Sequence, residues 1–306
     1  MKRVLITGAY GFLGRHTARK FKDSGCHVTG IGHGKWYLEE YTKWGIDTWL
    51  ESTITFESLM NINERFDIIV HCGGSGSVAF SHSNPYEDFQ KSVQSTLSLL
   101  EYIRLQAPKC KFIYPSSPAV QGNLQDLPIQ ENIISNPISP YGFNKKIAEE
   151  LCLSYRNNYD LDIGIIRFFS IYGKGLQKQL IYDACKKIVT TNVDEIIFFG
   201  TGKETRDWIN VEDAGALIVK FSDAFVGWDV VNGASGVRTE IQEILRLVAI
   251  QFDRPLKITF NGVTREGDPK YFWADMTHTL TYDWNPKVVL ADGIAEYVEY
   301  FKQLKL

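Results

Sequence analysis

Two side chains four residues apart, Tyr141 and Lys145, could carry acid–base chemistry. They lie in SPYGFNKKIAEEL (residues 139–151), where apolar residues recur at helical spacing, so both side chains fall on one face. A phenol with a pKa of about 10 is a weak base at neutral pH, and a nearby ammonium stabilises the phenolate and lowers that pKa. We therefore expect Tyr141 to exchange a proton with a carbinol or carbonyl oxygen beside Lys145.

A pair of serines ends the strand-like run that precedes this helix. KFIYPSSPAVQG (residues 111–122) contains Ser116 and Ser117, and we favour Ser117 as the hydroxyl that holds the same oxygen, from its distance to Gly122. In the alternative interpretation Tyr141 only begins a helix and Lys145 is solvated. The glycine loop described next favours the catalytic interpretation.

The loop TGAYGFLG (residues 7–14) separates the first strand-like run from a helical segment. Its first glycine permits a tight turn, its second lets backbone N–H groups approach a pyrophosphate, and its third lets the helix pack closely on the sheet. This pattern, placed between a strand and a helix, predicts dinucleotide binding. The residues expected to contact the cofactor here are Gly8, Gly11, Phe12, Leu13 and Gly14.

The elements that must position these residues alternate between strand-like and helical patterns. Runs that are apolar on both faces, separated by helices, predict an α/β fold with a Rossmann-type doubly wound parallel sheet. The runs are VLIT (4–7), HVTGI (27–31), DIIVHC (67–72), KFIYP (111–115) and IGIIRF (163–168).

The regular alternation ends after residue 168, where short strands, helices and long polar loops follow. We expect a dinucleotide-binding domain over residues 1–168 with roughly 207–235. A smaller mixed α/β C-terminal substrate lobe should comprise residues 169–206 and 236–306. Without a linker between them the two should pack closely, with the ligand cleft at their junction.

The composition is that of an ordinary globular protein, with 44% hydrophobic and 23% charged residues and a net charge of −3. Neither nucleic acid nor membrane is expected as a partner. The five cysteines lack CxxC spacing and the histidines lack HxxxH spacing, so we expect reduced thiols and no metal site. MKRVLITG enters a strand at once, which indicates a cytoplasmic protein without a signal peptide.

Together these motifs resemble the extended short-chain dehydrogenases/reductases, specifically the NAD-dependent epimerase/dehydratase family acting on nucleotide-diphosphate sugars. The resemblance implies that Ser117, Tyr141 and Lys145 are catalytic, with Tyr141 and Lys145 also contacting the cofactor. DIIVHCGG (residues 67–74) is similar to the strand end that lines the cofactor in this family. It adds the expected cofactor contacts Cys72, Gly73 and Gly74.

Three later segments are similar to the family's substrate-binding segments. RFFSIYGKG (167–175) places Ser170 where the family has a substrate-binding asparagine. GTGKETRDWINVEDAG (200–215) and TREGDPKYFWADMT (264–277) supply Arg206 and Arg265, expected to bind the substrate diphosphate in bidentate geometry. The alternative is that each arginine only forms a surface salt bridge with the acid that follows it.

Two departures from the family pattern limit the reaction. Family dehydratases carry an Asp-Glu pair just after the catalytic hydroxyl, whereas this chain has Pro118 and Ala119, so dehydration is disfavoured. Gln121 replaces the tyrosine of the family's VYG sequence, and Ser170 replaces the asparagine mentioned above. Both replacements indicate a sugar pocket unlike the usual one.

The second strand ends without a carboxylate. NAD-dependent members typically place an Asp here, which accepts hydrogen bonds from the adenosine ribose and repels a 2′-phosphate. HVTGIGHGKW (residues 27–36) instead offers His33 and Lys35 among glycines, which would suit a phosphate. We therefore expect NADP rather than NAD, although a flexible loop with solvated His33 and Lys35 is the alternative.

This cofactor preference favours an NADPH-dependent reductase of a nucleotide-diphosphate 4-keto-(6-deoxy)sugar, in which hydride reaches sugar C4. The alternative enzyme is an NAD-dependent 4-epimerase that uses the same three catalytic residues. The non-enzymatic alternative is a dinucleotide-sensing relative that binds the cofactor without turnover. The resemblance also implies a homodimer that pairs through helices at about residues 89–105 and 141–156.

Overall fold

A computed structural model describes residues 1–191, 193–252, 255–263 and 269–304 of the chain. The strands are β1 (Arg3–Thr7), β2 (His27–Gly32), β3 (Thr48–Glu51), β4 (Ile68–His71), β5 (Lys111–Ser116), β6 (Ile163–Phe168), β7 (Ser170–Tyr172), β8 (Glu195–Phe198), β9 (Thr205–Arg206), β10 (Trp208–Asn210), β11 (Trp228–Gly233), β12 (Thr239–Glu240) and β13 (Lys257–Phe260). The α-helices are α1 (Phe12–Asp23), α2 (Leu38–Tyr41), α3 (Phe56–Met60), α4 (Val78–Ser83), α5 (Pro85–Phe89), α6 (Ser95–Gln106), α7 (Pro140–Tyr159), α8 (Gln179–Thr190), α9 (Val211–Ala224), α10 (Ile241–Ala249), α11 (Thr277–Leu280) and α12 (Leu290–Lys302). A π-helical turn (Gln90–Gln94) joins α5 to α6, and single 3₁₀ turns lie at Thr42–Trp44 and Pro118–Val120.

Seven parallel strands form the central sheet, in the order β11-β6-β5-β4-β1-β2-β3. The predicted doubly wound parallel sheet is therefore confirmed. The chain leaves β1 toward β2 and β3 on one side, then returns to β4 and continues in the other direction. Ligands of such sheets bind in the crevice at this reversal, outside the carboxyl ends of the strands.

Successive residues of the central strands pack on opposite faces of the sheet. In β1, Val4 and Ile6 join the hydrophobic cluster covered by α1 and α9, whereas Leu5 joins the cluster covered by α3, α6 and α7. Both faces are buried because helices cover both, which explains why these strands read as continuous apolar runs.

The remaining strands form three separate two-stranded pairs, β7 with β10, β9 with β12 and β8 with β13. A third hydrophobic cluster lies beside them, built mainly from the buried faces of α8, α10 and α12. No helix in the described ranges is long and apolar enough to cross a membrane.

Five strands were not predicted from the sequence, namely β3, β7, β9, β10 and β12. Four of them have only two or three residues, too few to show a period of two. β3 reads TWLE, and its partly exposed positions give no continuous apolar run.

Candidate active site

The glycine loop forms a close-packed cradle at the carboxyl end of β1. Gly8 has φ +65°, and a Cβ on it would lie 2.6 Å from Gly73 Cα. A Cβ on Gly14 would lie 2.3 Å from the Gly8 carbonyl oxygen, so only glycine fits either place. Gly11 caps α1 without a side-chain hydrogen bond, which leaves the N–H groups of the first turn for an anion. The cradle therefore fits a dinucleotide pyrophosphate. Phe12 and Leu13 begin α1 in this first turn.

The end of β4 is fastened to this cradle by a buried histidine. His71 Nδ1 lies 2.7 Å from Thr7 Oγ1, and its Nε2 lies 3.0 Å from Ser95 Oγ. Burial lowers the pKa of His71 to about 3, so its ring is neutral at physiological pH. Gly73 N–H donates to Thr7 Oγ1 at 3.2 Å. These contacts bring Cys72, Gly73 and Gly74 to the crevice beside the glycine loop.

Tyr141 occupies the first turn of α7. Ser139 caps this helix by accepting a hydrogen bond from the Gly142 N–H at 3.1 Å, and the Tyr141 N–H donates to Ser81 Oγ at 3.0 Å. The Ser117 hydroxyl lies beside the phenol and favours its ionised form. Burial opposes this effect and raises the pKa of Tyr141 to about 12. The structure thus brings Ser117 and Tyr141 together, as the sequence indicated.

The two serines at the end of β5 have different partners. Ser116 Oγ donates to Glu149 Oε1 at 2.5 Å inside a buried network, where Arg167 Nη2 donates to Glu149 Oε2 at 2.7 Å. Ser117 instead caps the following 3₁₀ turn by accepting from the Ala119 N–H at 3.2 Å. This geometry favours Ser117 over Ser116 as the hydroxyl at the reacting oxygen.

Lys145 lies one helical turn after Tyr141 and is only 6% exposed. Its Nζ donates to the Pro115 carbonyl at 2.9 Å and lies 4.5 Å from the Tyr114 ring centroid, but 6.0 Å from that of Tyr141. Burial lowers the pKa of Lys145 to about 8. Burial is the largest effect on the pKa of the Tyr141 phenol, and the Lys145 ammonium donates to a carbonyl, so the expectation that Lys145 lowers the pKa of Tyr141 stays a prediction.

The glycines at the end of β2 accommodate an aromatic side chain. A Cβ on Gly30 would lie 3.2 Å from Trp49 Cε3, and one on Gly32 would lie 3.2 Å from Trp49 Cη2. His33 and Lys35 follow the strand and are exposed. The alternating glycines are thus explained by packing of the neighbouring strand β3.

β3 contributes the carboxylate that β2 lacks. Glu51, its last residue, pairs in register with Gly32 at the end of β2 and is exposed. Sequence reasoning missed Glu51 because it looked for an acid only along β2 and its loop. Recognising TWLE as a strand parallel to β2 would have placed this acid at the same edge of the sheet.

The predicted substrate residues lie beyond β6. Ser170 begins β7, and its N–H donates to the Asp207 carbonyl at 2.9 Å. Arg206 in β9 is half-buried, with its Cζ 5.9 Å from the Phe272 ring centroid. The Asp207 carboxylate accepts from the backbone N–H groups of Ser235, Gly236 and Ala274, so its bonds fix these loops. Arg265 lies outside the described residues.

A doubly wound parallel sheet with a glycine cradle at its reversal and a Tyr–Lys pair beside it defines a Rossmann-type dinucleotide-binding enzyme. The chain belongs to the NAD dependent epimerase/dehydratase family, whose model matches residues 4–231. It is 28% identical over 318 residues to a UDP-glucose 4-epimerase of Mycolicibacterium smegmatis, covering 98% of each chain. It is 26% identical over 320 residues to a UDP-glucuronate 4-epimerase of Thermodesulfobacterium geofontis, covering 99% of this chain and 97% of that one.

Solved structures agree with this family membership. The UDP-glucuronic acid 4-epimerase of Bacillus cereus, in complex with UDP-glucuronic acid and NAD, superposes with a TM-score of 0.86 at 26% identity. That match covers 99% of this chain and all of the other. The UDP-glucose 4-epimerase of Thermotoga maritima, with UDP-glucose, has a TM-score of 0.87 at 25% identity, covering 98% of this chain and 99% of that one.

Proposed function

We propose that this protein is an NAD-dependent 4-epimerase of a nucleotide-diphosphate sugar, of the UDP-glucose or UDP-glucuronate type. The observation that carries the proposal is the placement of Ser117, Tyr141 and Lys145 beside the glycine cradle, at the edge of the sheet where dinucleotides bind. A bound nicotinamide would supply the hydride acceptor and donor and, when oxidised, a positive charge near the phenol. The cradle residues Gly8, Gly11 and Gly14 would hold its pyrophosphate.

The three side chains then divide the proton chemistry. Tyr141 takes the proton of the C4 hydroxyl when the sugar is oxidised and returns it when the ketone is reduced on the other face. Ser117 donates a hydrogen bond to the same oxygen, and its interaction with the phenol favours the ionised form. Lys145 would stabilise the phenolate by its charge and would hold the cofactor ribose. Such positioned acid–base catalysis contributes about 10²–10⁴-fold.

The relatives favour epimerisation over the reductase that we inferred from the sequence. These relatives are UDP-sugar 4-epimerases, and this chain matches them over nearly their whole length. A structural neighbour was solved with NAD. The case for an NADPH-dependent reductase depended mainly on the missing acid at the end of β2, and these relatives weaken that case. The absence of an acid at Pro118 and Ala119 continues to disfavour dehydration.

NAD is the cofactor that the architecture favours once β3 is included. We propose that Glu51, level with Gly32, supplies the carboxylate at the adenosine ribose, while His33 and Lys35 remain solvated. Glu51→Gln should weaken NADH binding while changing NADPH binding little, and His33→Asp should change neither much. Titration calorimetry with both nucleotides measures this. Tighter binding of NADPH than of NADH by the native protein would restore the original preference.

The sugar nucleotide is proposed to bind between the dinucleotide-binding domain and the lobe formed by residues 169–206 and 236–306. In this lobe Arg206 would bind the diphosphate, together with Arg265. Ser170, which lies between β6 and the lobe, would donate a hydrogen bond to the substrate. The domain boundaries and these contacts remain predictions.

The reaction is tested with UDP-glucose and UDP-glucuronic acid and no added reductant. Proton NMR should show the C4 epimer forming to an equilibrium mixture, with the C4 hydrogen retained in D₂O because it moves as hydride. The control is Tyr141→Phe, which removes only the phenolic O–H. Consumption of NADPH with a 4-keto sugar, without epimer formation, would support the reductase instead. Cofactor binding without turnover of any nucleotide sugar would support the sensing alternative.

We also propose that the protein forms a homodimer through α6 and α7. Phe143 and Ile147 on α7 are 52% and 39% exposed, and Leu97 and Leu105 on α6 are 40% and 44% exposed. Large apolar side chains on two neighbouring helices are typical of a surface that a partner covers. A helical pairing of two copies would bury them together.

A further inference from the structure

A tyrosine of the glycine loop faces the loop that follows β2. Tyr10 stands between the first two glycines of the cradle, and its side chain is partly exposed. Three carbons of its ring would lie 3.5 to 3.7 Å from a Cβ on Gly34, two residues after the end of β2. Gly34 has φ +105°, a conformation that favours glycine. The Tyr10 ring therefore lies against the backbone of the β2 loop and joins it to the cradle.

Two tryptophans support the Tyr10 ring in this place. The ring of Trp36 meets it nearly at a right angle, with centroids 5.0 Å apart and an interplanar angle of 89°. Trp49 of β3 lies 5.2 Å from Trp36 at 86°, and 6.4 Å from Tyr10. Perpendicular packing is a favoured arrangement of aromatic rings, and Trp36 is buried. The Tyr10 ring is thus fixed on a base formed by the β2 loop and β3.

Arg15 of α1 holds the same tyrosine from the side of the glycine loop. Its Nη2 donates to the Tyr10 carbonyl, and its Nε donates to the Gly11 carbonyl at 3.3 Å. Its Cζ lies 5.5 Å from the ring centroid of Tyr10, 5.6 Å from that of Trp36 and 5.2 Å from that of Trp44. Such cation–π contacts add to the two hydrogen bonds. The guanidinium beside the glycine loop therefore serves to hold Tyr10 in place.

The loop against which the ring lies is the place at which NAD and NADP differ. In a Rossmann-type fold the adenosine ribose binds at the end of the second strand, and NADP carries a phosphate on the ribose 2′ oxygen. The residues that would suit this phosphate, His33 and Lys35, flank Gly34. The Tyr10 ring lies against the backbone between them. The face of an aromatic ring carries partial negative charge, so a phosphate placed against it would lose water without compensation.

We propose that Tyr10 is a specificity-determining residue for the cofactor, whose ring covers the loop after β2 and thereby excludes a 2′-phosphate. This inference rests on the proposed function for the choice of NAD. It differs in mechanism from the proposed role of Glu51, because a carboxylate repels the phosphate by charge whereas the ring takes up the space beside the ribose. It also explains how His33 and Lys35 can lie beside the site without selecting NADP.

The test is titration calorimetry of NADH and NADPH with protein freed of retained nucleotide. In Tyr10→Ala the ratio of the Kd for NADPH to the Kd for NADH should fall by about tenfold or more, because the loop becomes open to the phosphate. Tyr10→Phe is the matched control, since it keeps the ring and should keep the native ratio. The hydrogen bond from the Gly11 N–H to the Gly8 carbonyl, at 2.8 Å, involves backbone alone, so the loop should retain its shape in both variants.

The ratio of the two affinities decides the outcome. An unchanged ratio in Tyr10→Ala, or an equal change in Tyr10→Phe, overturns the proposal. If Tyr10→Ala does not fold, Tyr10→Val is measured instead, and failure of both to fold also overturns it, because the ring would then be a structural support. Tighter binding of NADPH than of NADH by the native protein would reject Tyr10 together with the choice of NAD. A shifted ratio in Tyr10→Ala without epimer formation from any nucleotide sugar would reject only the proposed reaction.

Discussion

Replacing Lys145 with methionine should abolish activity and change the free energy of unfolding by an amount that depends on pH. The buried ammonium has a pKa of about 8 in the folded chain and 10.5 when exposed. This difference corresponds to about 3 kcal/mol that the charged lysine subtracts from the free energy of unfolding at neutral pH. Methionine has a similar length and no charge, so Lys145→Met removes this penalty, although it also removes the hydrogen bond to Pro115.

The direction in which stability changes with pH follows from the number of protons that the folded and unfolded chains bind. Between pH 8 and 10.5 the unfolded chain keeps a proton on Lys145 that the folded chain has released, so the stability of the native protein rises with pH across this window. The variant lacks this increase. Between about pH 7.5 and 9.5 the native protein should therefore gain about 2 kcal/mol relative to Lys145→Met.

The assay is denaturant unfolding followed by tryptophan fluorescence at both pH values. Lys43→Met, a change at an exposed position, is the control, and its stability difference from the native protein should not vary with pH. A difference between the native protein and Lys145→Met that stays constant over this range would refute the buried, destabilised ammonium.

Three further expectations follow from the site and the surface. Tyr141→Phe should lower the rate by about 100-fold or more while keeping cofactor affinity, measured by calorimetry; full activity would reject Tyr141 as the acid–base residue. Gly14→Ala should prevent tight binding of cofactor, because its Cβ would lie 2.3 Å from the Gly8 carbonyl oxygen; unchanged affinity in a titration would contradict the close packing of the cradle. Phe143→Glu should shift the protein from dimer to monomer in analytical ultracentrifugation, whereas a native protein that sediments as a monomer would reject the proposed interface.

The sequence predicted the parts of the structure that depend on local pattern. The central strands read as continuous apolar runs because both faces of the sheet are covered, and the glycine loop is recognisable because Gly8 and Gly14 admit no Cβ. The spacing of Tyr141 and Lys145 sufficed to place them one helical turn apart. The surroundings that set their pKa values could not be predicted from the sequence, because they depend on burial and on residues distant along the chain, such as Ser117 beside Tyr141.

The cofactor prediction shows how a short strand that is missed in the sequence can alter a functional hypothesis. β2 was judged alone, and its lack of an acid favoured NADP. In the sheet, however, Glu51 at the end of β3 lies level with Gly32 at the end of β2, and the proposed ribose contact therefore comes from the neighbouring strand. Gly30 and Gly32 are small because Trp49 of β3 packs over them, and the same strand ends in Glu51. The absence of an acid from β2 and the presence of one on β3 are therefore features of one pairing, and cofactor preference is better judged from the paired strand ends than from either strand alone.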